Sequence, residues 1–417
     1  MSVATGGVSA ARPGLIRALN EQILLGHIRS SSSVSRAELA RLSGLSKPTV
    51  SLALDNLELA GLVRRAGERT GLPGRAARLY EVHPEAGFVL GLDIGRQYLR
   101  GALMDLGGTI RARISARVQA ASAAGRIAEL IELGLSLCDH AGVPLDSVTQ
   151  TVIGSPGVYD PRRDVIALAG NLPGWDRPGV LTELRATFGP SLMLENDIDV
   201  SALAEHAHGH GREVEDFAFV SVGTGIGMGL VLGGRLRRGA HGVAGEIAYL
   251  PLSNGQGGDE RDVRRRGAME SAAAAAGIVR SARRAGMRGP VSARRVFSAA
   301  AQGDERAALV VAQEALLVAK AICSVVTVVD PEMIVLGGGI GQAPGFAEAV
   351  TAELRHLAPA VPDVRVSALG TDAVVDGCLA AGMQRAWDTL TAALPGTDPT
   401  CWAPHSGRCH QGQSSSA

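Results

Sequence analysis

Lysine is almost missing from this chain. It occurs only at Lys47 and Lys320, within a Lys+Arg total of 41. Arginine is therefore the default cation, and a single arginine is weak grounds for assigning a binding role. Aromatic residues are also scarce, at 3%, which argues against reading RNA or single strands by base stacking. The five cysteines form no CxxC pair. Cys138, Cys323 and Cys378 lie in apolar segments and read as buried free thiols, a usage that fits the cytoplasm. The opening residues MSVATGGVSA lack a basic stretch followed by an apolar one, so no signal peptide is expected. The uncharged run Phe217–Gly234 is interrupted by Gly-Thr-Gly-Ile-Gly. It reads as two buried strands and a turn rather than a membrane span, and no membrane partner is expected.

What is present is a sizeable apolar fraction, 46% of 417 residues, enough for two or three domains. Acidic and basic residues balance at 41 each, but unevenly along the chain. Residues 1–82 carry 11 Lys+Arg against 6 Asp+Glu, which leaves 30 against 35 for the rest. A basic head on an acidic body points to a polyanionic partner for the head alone.

The head reads as a helix-turn-helix. Leu39, Leu42, Leu45, Val50, Leu54 and Leu57 recur at helical spacing with one break at Gly44, where a tight turn needs positive φ. Ala40 supplies the small side chain that two crossing helices require. Ser35 and Ser46 stand at N-cap positions, and Glu38 completes a capping box with Ser35. Leu62-Val63 and Leu79–Val82 then read as two strands around a Gly/Arg loop, the wing of a winged helix. This arrangement places Ser46, Lys47, Thr49 and Ser51 at the start of the recognition helix, against base edges in the major groove. Arg64, Arg65, Arg69 and Arg75 would hold phosphates or enter the minor groove, or form a solvated loop.

From Phe88 the pattern changes. FVLGLDIG, YLRGALMD and TIRARISARV predict three strands, and a helix is expected over about 123–140. SVTQTVIGSPGVYD predicts a strand and a Ser155-Pro156-Gly157 turn, SLMLEND another strand, and Ala202 to Glu205 a helix. Three strands followed by alternating strands and helices point to α/β architecture. A similar opening after Asp216 points to two similar lobes around a cleft.

LSGLSKPTVSLALDNLELAGLV, GSPGVYD, NLPGW, LENDIDVSALAE, VSVGTGIGMGLVLGGRLRRGAHGVAGEI and VDPEMIVLGGGI occur in one order across residues 14–390. On these stretches the chain resembles the ROK family, named for its repressors, uncharacterised frames and kinases, and specifically its repressor-type members. The resemblance implies an N-terminal winged helix-turn-helix (1–82) and a two-lobed, actin-like (ribonuclease-H-like) sugar-kinase fold (83–392). Lobe 1 would span about 83–197 plus the C-terminal helix, and lobe 2 about 198–374. Residues 393–417, rich in Gly, Ser and Pro, are expected to be disordered. Cys401, His405, Cys409 and His410 fall in this tail.

The resemblance also assigns residues. Asp197 would accept a proton from a sugar hydroxyl as a kinase's general base, or merely bind that hydroxyl as a sensor; alternatively it caps the next helix. Asn171, Asn196, Glu246, Tyr249 and Glu270 would complete a sugar site. Asp93 and Gly95, then Gly223, Thr224, Gly225 and Gly227, then Gly337 and Gly338 match the nucleotide motifs. Gly223–Gly227 could equally be a tight hairpin, and Gly337–Gly339 a strand-to-helix turn.

Two departures from the family pattern stand out. The family's four zinc ligands, a His and three Cys, are replaced by Tyr249, Arg261, Val263 and Ala268. Phenol, guanidinium, isopropyl and methyl groups do not ligate Zn²⁺, so no metal is expected. The first phosphate loop, DIGGTK-like in the kinases, reads Asp93-Ile94-Gly95-Arg96-Gln97-Tyr98, which crowds the phosphates and removes a Thr hydroxyl. Phosphoryl transfer tolerates little misplacement. A sugar-responsive transcriptional regulator, a repressor, is expected. It would bind double-stranded operator DNA as a homodimer or homotetramer and need no cofactor. An ATP-dependent sugar kinase with a regulatory head is the alternative. A regulator sensing a sugar phosphate or a partner protein is a third reading.

Overall fold

The computed structural model describes residues 13–69, 77–160, 163–169, 172–252, 263–264 and 266–394. Arg75, Asn171, Arg261 and the tail lie outside the described residues. Two compact units emerge. One contains the described residues of Met1–Gly87, Asp105–Thr109 and from Arg385 onward; the other contains Phe88–Met104 and Ile110–Gln384.

In the first unit α1 (Pro13–Arg29), α2 (Arg36–Ser43) and α3 (Lys47–Leu59) pack around Leu24, Ile28, Leu39, Val50, Leu54 and Leu57, all fully buried. Gly44 follows α2 at φ 69° and turns the chain into α3, a conformation costly for any residue with a Cβ. Ser35 and Glu38 form the expected capping box. Asn56 on α3 donates to the buried Glu21 on α1 at 2.6 Å, tying the two helices. β1 (Val34–Ser35), β2 (Val63–Arg69) and β3 (Ala77–Val82) make a sheet in the order β1-β3-β2. The strand predicted at Leu62-Val63 thus continues to Arg69.

The predicted division at 82/83 and the placement of the whole C-terminal helix in lobe 1 both differ from the structure. Chain turns explain the first difference. Leu106 N–H donates to the carbonyls of Pro84 and Gly87, which groups the 105–109 turn with the head. The C-terminal helix, Ala373–Ala392, is divided. From Arg385 it belongs to the first unit, where Trp387 is buried and the Arg29 guanidinium lies 4.9 Å from its ring centroid.

The second unit holds two five-stranded sheets. β4 (Phe88–Ile94), β5 (Tyr98–Asp105), β6 (Ile110–Arg117), β7 (Val148–Ser155) and β10 (Met193–Asn196) stand in the order β10-β7-β4-β5-β6. A two-stranded ribbon, β8 (Val158–Asp160) with β9 (Val165–Ala167), branches between β7 and β10. β11 (Phe217–Val222), β12 (Ile226–Leu232), β13 (Arg235–Leu236), β14 (Met333–Gly337) and β15 (Asp363–Val366) stand in the order β15-β14-β11-β12-β13. Each sheet thus has its first strand at the centre, parallel strands on one side and an antiparallel pair on the other. The repeated opening read from the sequence is therefore a repeated topology. The run Phe217–Gly234 forms β11 and β12, as its interrupting glycines predict.

Helix α4 (Ala123–Ala141) covers the first sheet and α5 (Val180–Phe188) packs beside it. The second sheet is covered by Glu305–Val329, which is long and apolar enough to cross a membrane. Here it is a core helix, with Val318, Ala321, Ile322 and Val326 buried. Helix α6 (Asp197–His208) runs from the first sheet to the second. It meets Ala373–Ala392 where Gly377 leaves no room for a side chain, because a Cβ there would collide with the Val200 carbonyl. Gly377→Ala is therefore expected to destabilise the protein by about 1–3 kcal/mol, as overpacking does. Urea unfolding measures it, and an unchanged midpoint would refute the contact.

Candidate functional site

The site is organised at the start of α6. Strand β10 pairs in parallel with β7, which sets Asn196 opposite Ser155. Asn196 keeps extended backbone angles, and its Oδ1 accepts the N–H groups of Ile198 (2.9 Å) and Asp199 (3.1 Å). Its Nδ2 donates to the Gly157 carbonyl at 3.0 Å. Asn196, not Asp197, is thus the N-cap, which corrects the capping alternative for Asp197. That carboxyl is left for other use, lying in the first turn of the helix. Burial pushes its pKa up to about 6, against the pull of the Ile198 and Asp197 backbone N–H groups.

Asp197 faces a cavity of about 590 Å³, within the usual range of small-molecule sites. Of the predicted sugar residues, Asn196, Asp197, Glu246, Tyr249 and Glu270 all line it. Asn171 lies outside the described residues, but the NLPGW segment that carries it is anchored close by. Trp175 is buried and donates its Nε1–H to Ser155 Oγ at 2.6 Å, and Leu172 reaches the cavity wall. Gly245 positions Glu246. It sits at φ 89°, and a Cβ there would collide with the Met228 carbonyl. Burial raises the pKa of Glu246, and the Asp197 and Glu270 charges add to the rise. Glu270 Oε2 accepts the Ile226 N–H at 3.3 Å and so braces the second glycine turn.

That turn runs between β11 and β12, and Gly223, Thr224, Gly225 and Gly227 line the same cavity. Gly338 joins them from the end of β14, at φ 75°, where a Cβ would strike the Val222 carbonyl. Gly337 and Asp93 do not line the cavity, although Asp93 pairs with Arg100, which does. Asp93 ends β4 almost fully buried. Burial pushes its pKa to about 7, with Asp197 adding to the rise and Arg100 opposing it.

Gly95, Arg96, Gln97 and Tyr98 occupy the opposite wall. Arg126 donates to the carbonyls of Gly95 (3.1 Å) and Arg96 (3.2 Å), which fixes the turn. Arg96 and Gln97 thus stand where the DIGGTK-like pattern has Gly and Thr, and Tyr98 where it has Lys. The glycine turns and this loop line the same cavity. The zinc positions fare no better. Tyr249, Val263 and Ala268 supply no thiolate or imidazole, and no group of three or more His, Cys, Asp or Glu among the described residues is arranged for a metal. The segment after Glu270 is held instead by Glu314. This buried carboxyl accepts the N–H of Ala274 at 2.7 Å, and Ala274 takes the unusual φ of 60°.

Several cavity residues escaped the sequence reading. Arg100 pairs with Asp93 at 3.2 Å, and the alternation of β5 could have placed it on the cleft face beside Tyr98. Asp199 and Arg266 also line the cavity. Burial pushes Asp199 up to about 7, with Arg238 opposing. Nothing local in the sequence marks Arg266.

In the head, Ser46 caps α3 by accepting the Thr49 N–H, and its hydroxyl lies 2.8 Å from Thr49 Oγ1. Lys47 is exposed and Ser51 half-buried on the same helix start. Three wing arginines have intramolecular partners: Arg64 with Glu81, Arg65 with Glu58 and Arg69 with Glu38, each pair at 2.7 Å.

The comparisons with known proteins follow this division. The profile of the ROK family matches residues 89–383, and that of the DprA winged helix domain matches residues 9–69. The xylose repressor of Caldicellulosiruptor bescii is 24% identical over 387 residues, covering 88% of this chain and 96% of its own length. Other relatives are matched only in part. The chain spans 60% and 61% of two further repressor relatives, and 27% of the bifunctional enzyme NanE/NanK of Brucella melitensis. Among solved structures, a ROK hexokinase from Thermus thermophilus is 31% identical, with a TM-score of 0.63 over 72% of this chain and 99% of its own. A ROK family transcriptional regulator, homologue of the E. coli MLC protein, shares the fold. Its TM-score is 0.73 at 24% identity, over 91% of this chain and 99% of its own. With the cleft motifs brought together and more than half of its length matched by the family profile, this chain belongs to the ROK family.

Proposed function

We propose that this chain is a sugar-responsive, DNA-binding transcriptional repressor whose cleft binds its effector without phosphorylating it. The observation that carries the reading is a single chain with two sites. One is a capped recognition helix in a winged unit. The other is a cavity where Asp197, Glu246, Tyr249 and Glu270 converge. The xylose repressor that spans 88% of the chain supports it.

In the head, α3 enters the major groove, and Lys47, Thr49 and Ser51 meet base edges near its N-terminus. Arg64 and Arg65 exchange their carboxylate partners for phosphates. Such exposed pairs are worth about 0–1 kcal/mol, so the exchange is easy. In the cleft, the Asp197 carboxylate accepts a sugar hydroxyl, Glu246 and Glu270 accept others, and the Tyr249 ring replaces the imidazole of the zinc-bearing members. Sugar binding then changes operator affinity. A hundredfold change corresponds to about 2.7 kcal/mol, the scale of ordinary allosteric coupling. Operator reading by paired half-sites calls for a homodimer or homotetramer, and such a regulator works in the cytoplasm. Neither zinc nor a nucleotide is required.

One observation favours the kinase reading: Asp197, with a pKa near 6, is placed and tuned as a general base would be. The Thermus hexokinase relative agrees with it. Against it stands the Arg96-Gln97-Tyr98 wall.

Three measurements test these points. In a gel shift with promoter DNA, one sugar of a panel should change the bound fraction. Asp197→Asn should keep DNA binding and lose that response; a variant that still responds would remove Asp197 from the site. Coupled ADP-release assays over the same panel should give turnover far below the about 1–1,000 per second of ordinary enzymes. Turnover within that range would establish the kinase instead. Finally, sugar affinity should weaken as pH falls through about 6, by up to about tenfold per unit, because protonated Asp197 loses an acceptor. Burial raises the pKa of Glu246 and Asp93 as well, so Asp197→Asn is the control and should lack the step seen by calorimetry.

A further inference from the structure

A second cavity, of about 380 Å³, adjoins the sugar cleft. The two share Asn196, Asp199 and Gly242 in their walls. The second cavity lies between ribbon β8, the end of β10 and the loop Arg238–Gly242. Its character differs from that of the first. Val158, Leu194 and the ring of Tyr159 give it an apolar wall. The Tyr159 hydroxyl is held between Asp164 (2.9 Å) and Arg185 (3.3 Å), which fixes that ring. Glu195 takes both contacts from Arg238, at 2.9 and 3.1 Å, so this ion pair is internally satisfied.

Asp199 is different. It is 7% exposed and lines both cavities, yet its carboxylate accepts no hydrogen bond from any described residue. Burial pushes its pKa to about 7, so near neutral pH both protonation states are present, and in either one the carboxyl can exchange a hydrogen bond with a ligand hydroxyl. Arg238 in the lining is already engaged by Glu195, and Asp199 adds a further carboxyl to the wall, so no guanidinium of the lining is free to take a phosphorylated ligand. A neutral ring with hydroxyls on its edge and C–H groups on its face meets every requirement: donors for Asp199 and an apolar face for Tyr159, Val158 and Leu194.

We propose that this cavity is a second sugar subsite, so that the effector is a neutral disaccharide with one ring on Asp197 and the other donating a hydroxyl to Asp199. The inference rests on the sugar-sensing reading above and specifies its ligand. A monosaccharide fills only the first compartment and leaves the apolar wall of Val158, Tyr159 and Leu194 uncovered.

The test is isothermal titration of the full chain with matched pairs: xylose and xylobiose, glucose and cellobiose, glucose and maltose. At least one disaccharide should bind about tenfold to a hundredfold more tightly than its own monosaccharide, the range of a hydrogen bond to a charged group. Ala240 lines only the second cavity and is exposed. Ala240→Phe should therefore abolish the preference and leave monosaccharide affinity within about twofold, and Asp199→Asn should reduce the preference with the cavity volume kept. Disaccharides that bind no better than monosaccharides would overturn the second subsite, as would a preference that survives Ala240→Phe. If no sugar of either length binds, the sugar-sensing reading itself falls.

Discussion

One side-chain amide holds the cleft together. Asn196 stops β10, starts α6 and fastens the Ser155-Pro156-Gly157 turn, through three hydrogen bonds made by a single residue. Its oxygen satisfies two of the helix's first N–H groups, which would otherwise seek water or another carboxylate. Because Asn196 takes this task, the next residue is not needed for it. The Asp197 carboxyl can then stand in a partly dehydrated hollow with a raised pKa. Helix α6 is in turn fixed by backbone contact, since Gly377 lets Ala373–Ala392 close on the Val200 carbonyl. Site and scaffold share one rigid joint.

The loss of zinc ligands shows what such a joint can absorb. The segment carrying Glu270 has its own ties: Glu270 to the Ile226 N–H, Glu314 to the Ala274 N–H, and Arg280 to the Ser271 carbonyl. Glu314 is buried with that single backbone donor, and burial pushes its pKa to about 8. At neutral pH it is mostly protonated, so a neutral carboxyl stands in the core with little charge to desolvate. This cross-link is made of hydrogen bonds and packing.

Much of this was legible in the sequence, for identifiable reasons. The helix-turn-helix could be read because its signals are local: Ser35, Glu38, Gly44 and Ser46 act within a few residues of themselves. The two lobes could be read because apolar runs repeat and glycines punctuate them. The role of Asn196 could not, because it turns on whether β10 stops one residue earlier or later. The partners of Arg64, Arg65 and Arg69 were invisible for another reason. Glu81 and Glu38 lie 17 and 31 residues away, and Glu58, although only seven residues from Arg65, meets it across the start of the wing. Arg100 could have been placed from the alternation of β5, whereas Arg266 has no local signal, because a cavity wall is assembled from segments distant in sequence.

The wing's ion pairs have a thermodynamic corollary. With Arg64, Arg65 and Arg69 already carrying carboxylate counterions, the wing presents a muted field to distant polyanions. In the proposed DNA complex each of these three arginines would trade one anion for another, and the displaced carboxylates would need other partners. Condensed cations would still be expelled from the duplex, but part of that entropy gain would be offset by the repulsion of Glu38, Glu58 and Glu81 against the phosphates. Indiscriminate adhesion would thereby be restrained in favour of sites where α3 finds matching bases.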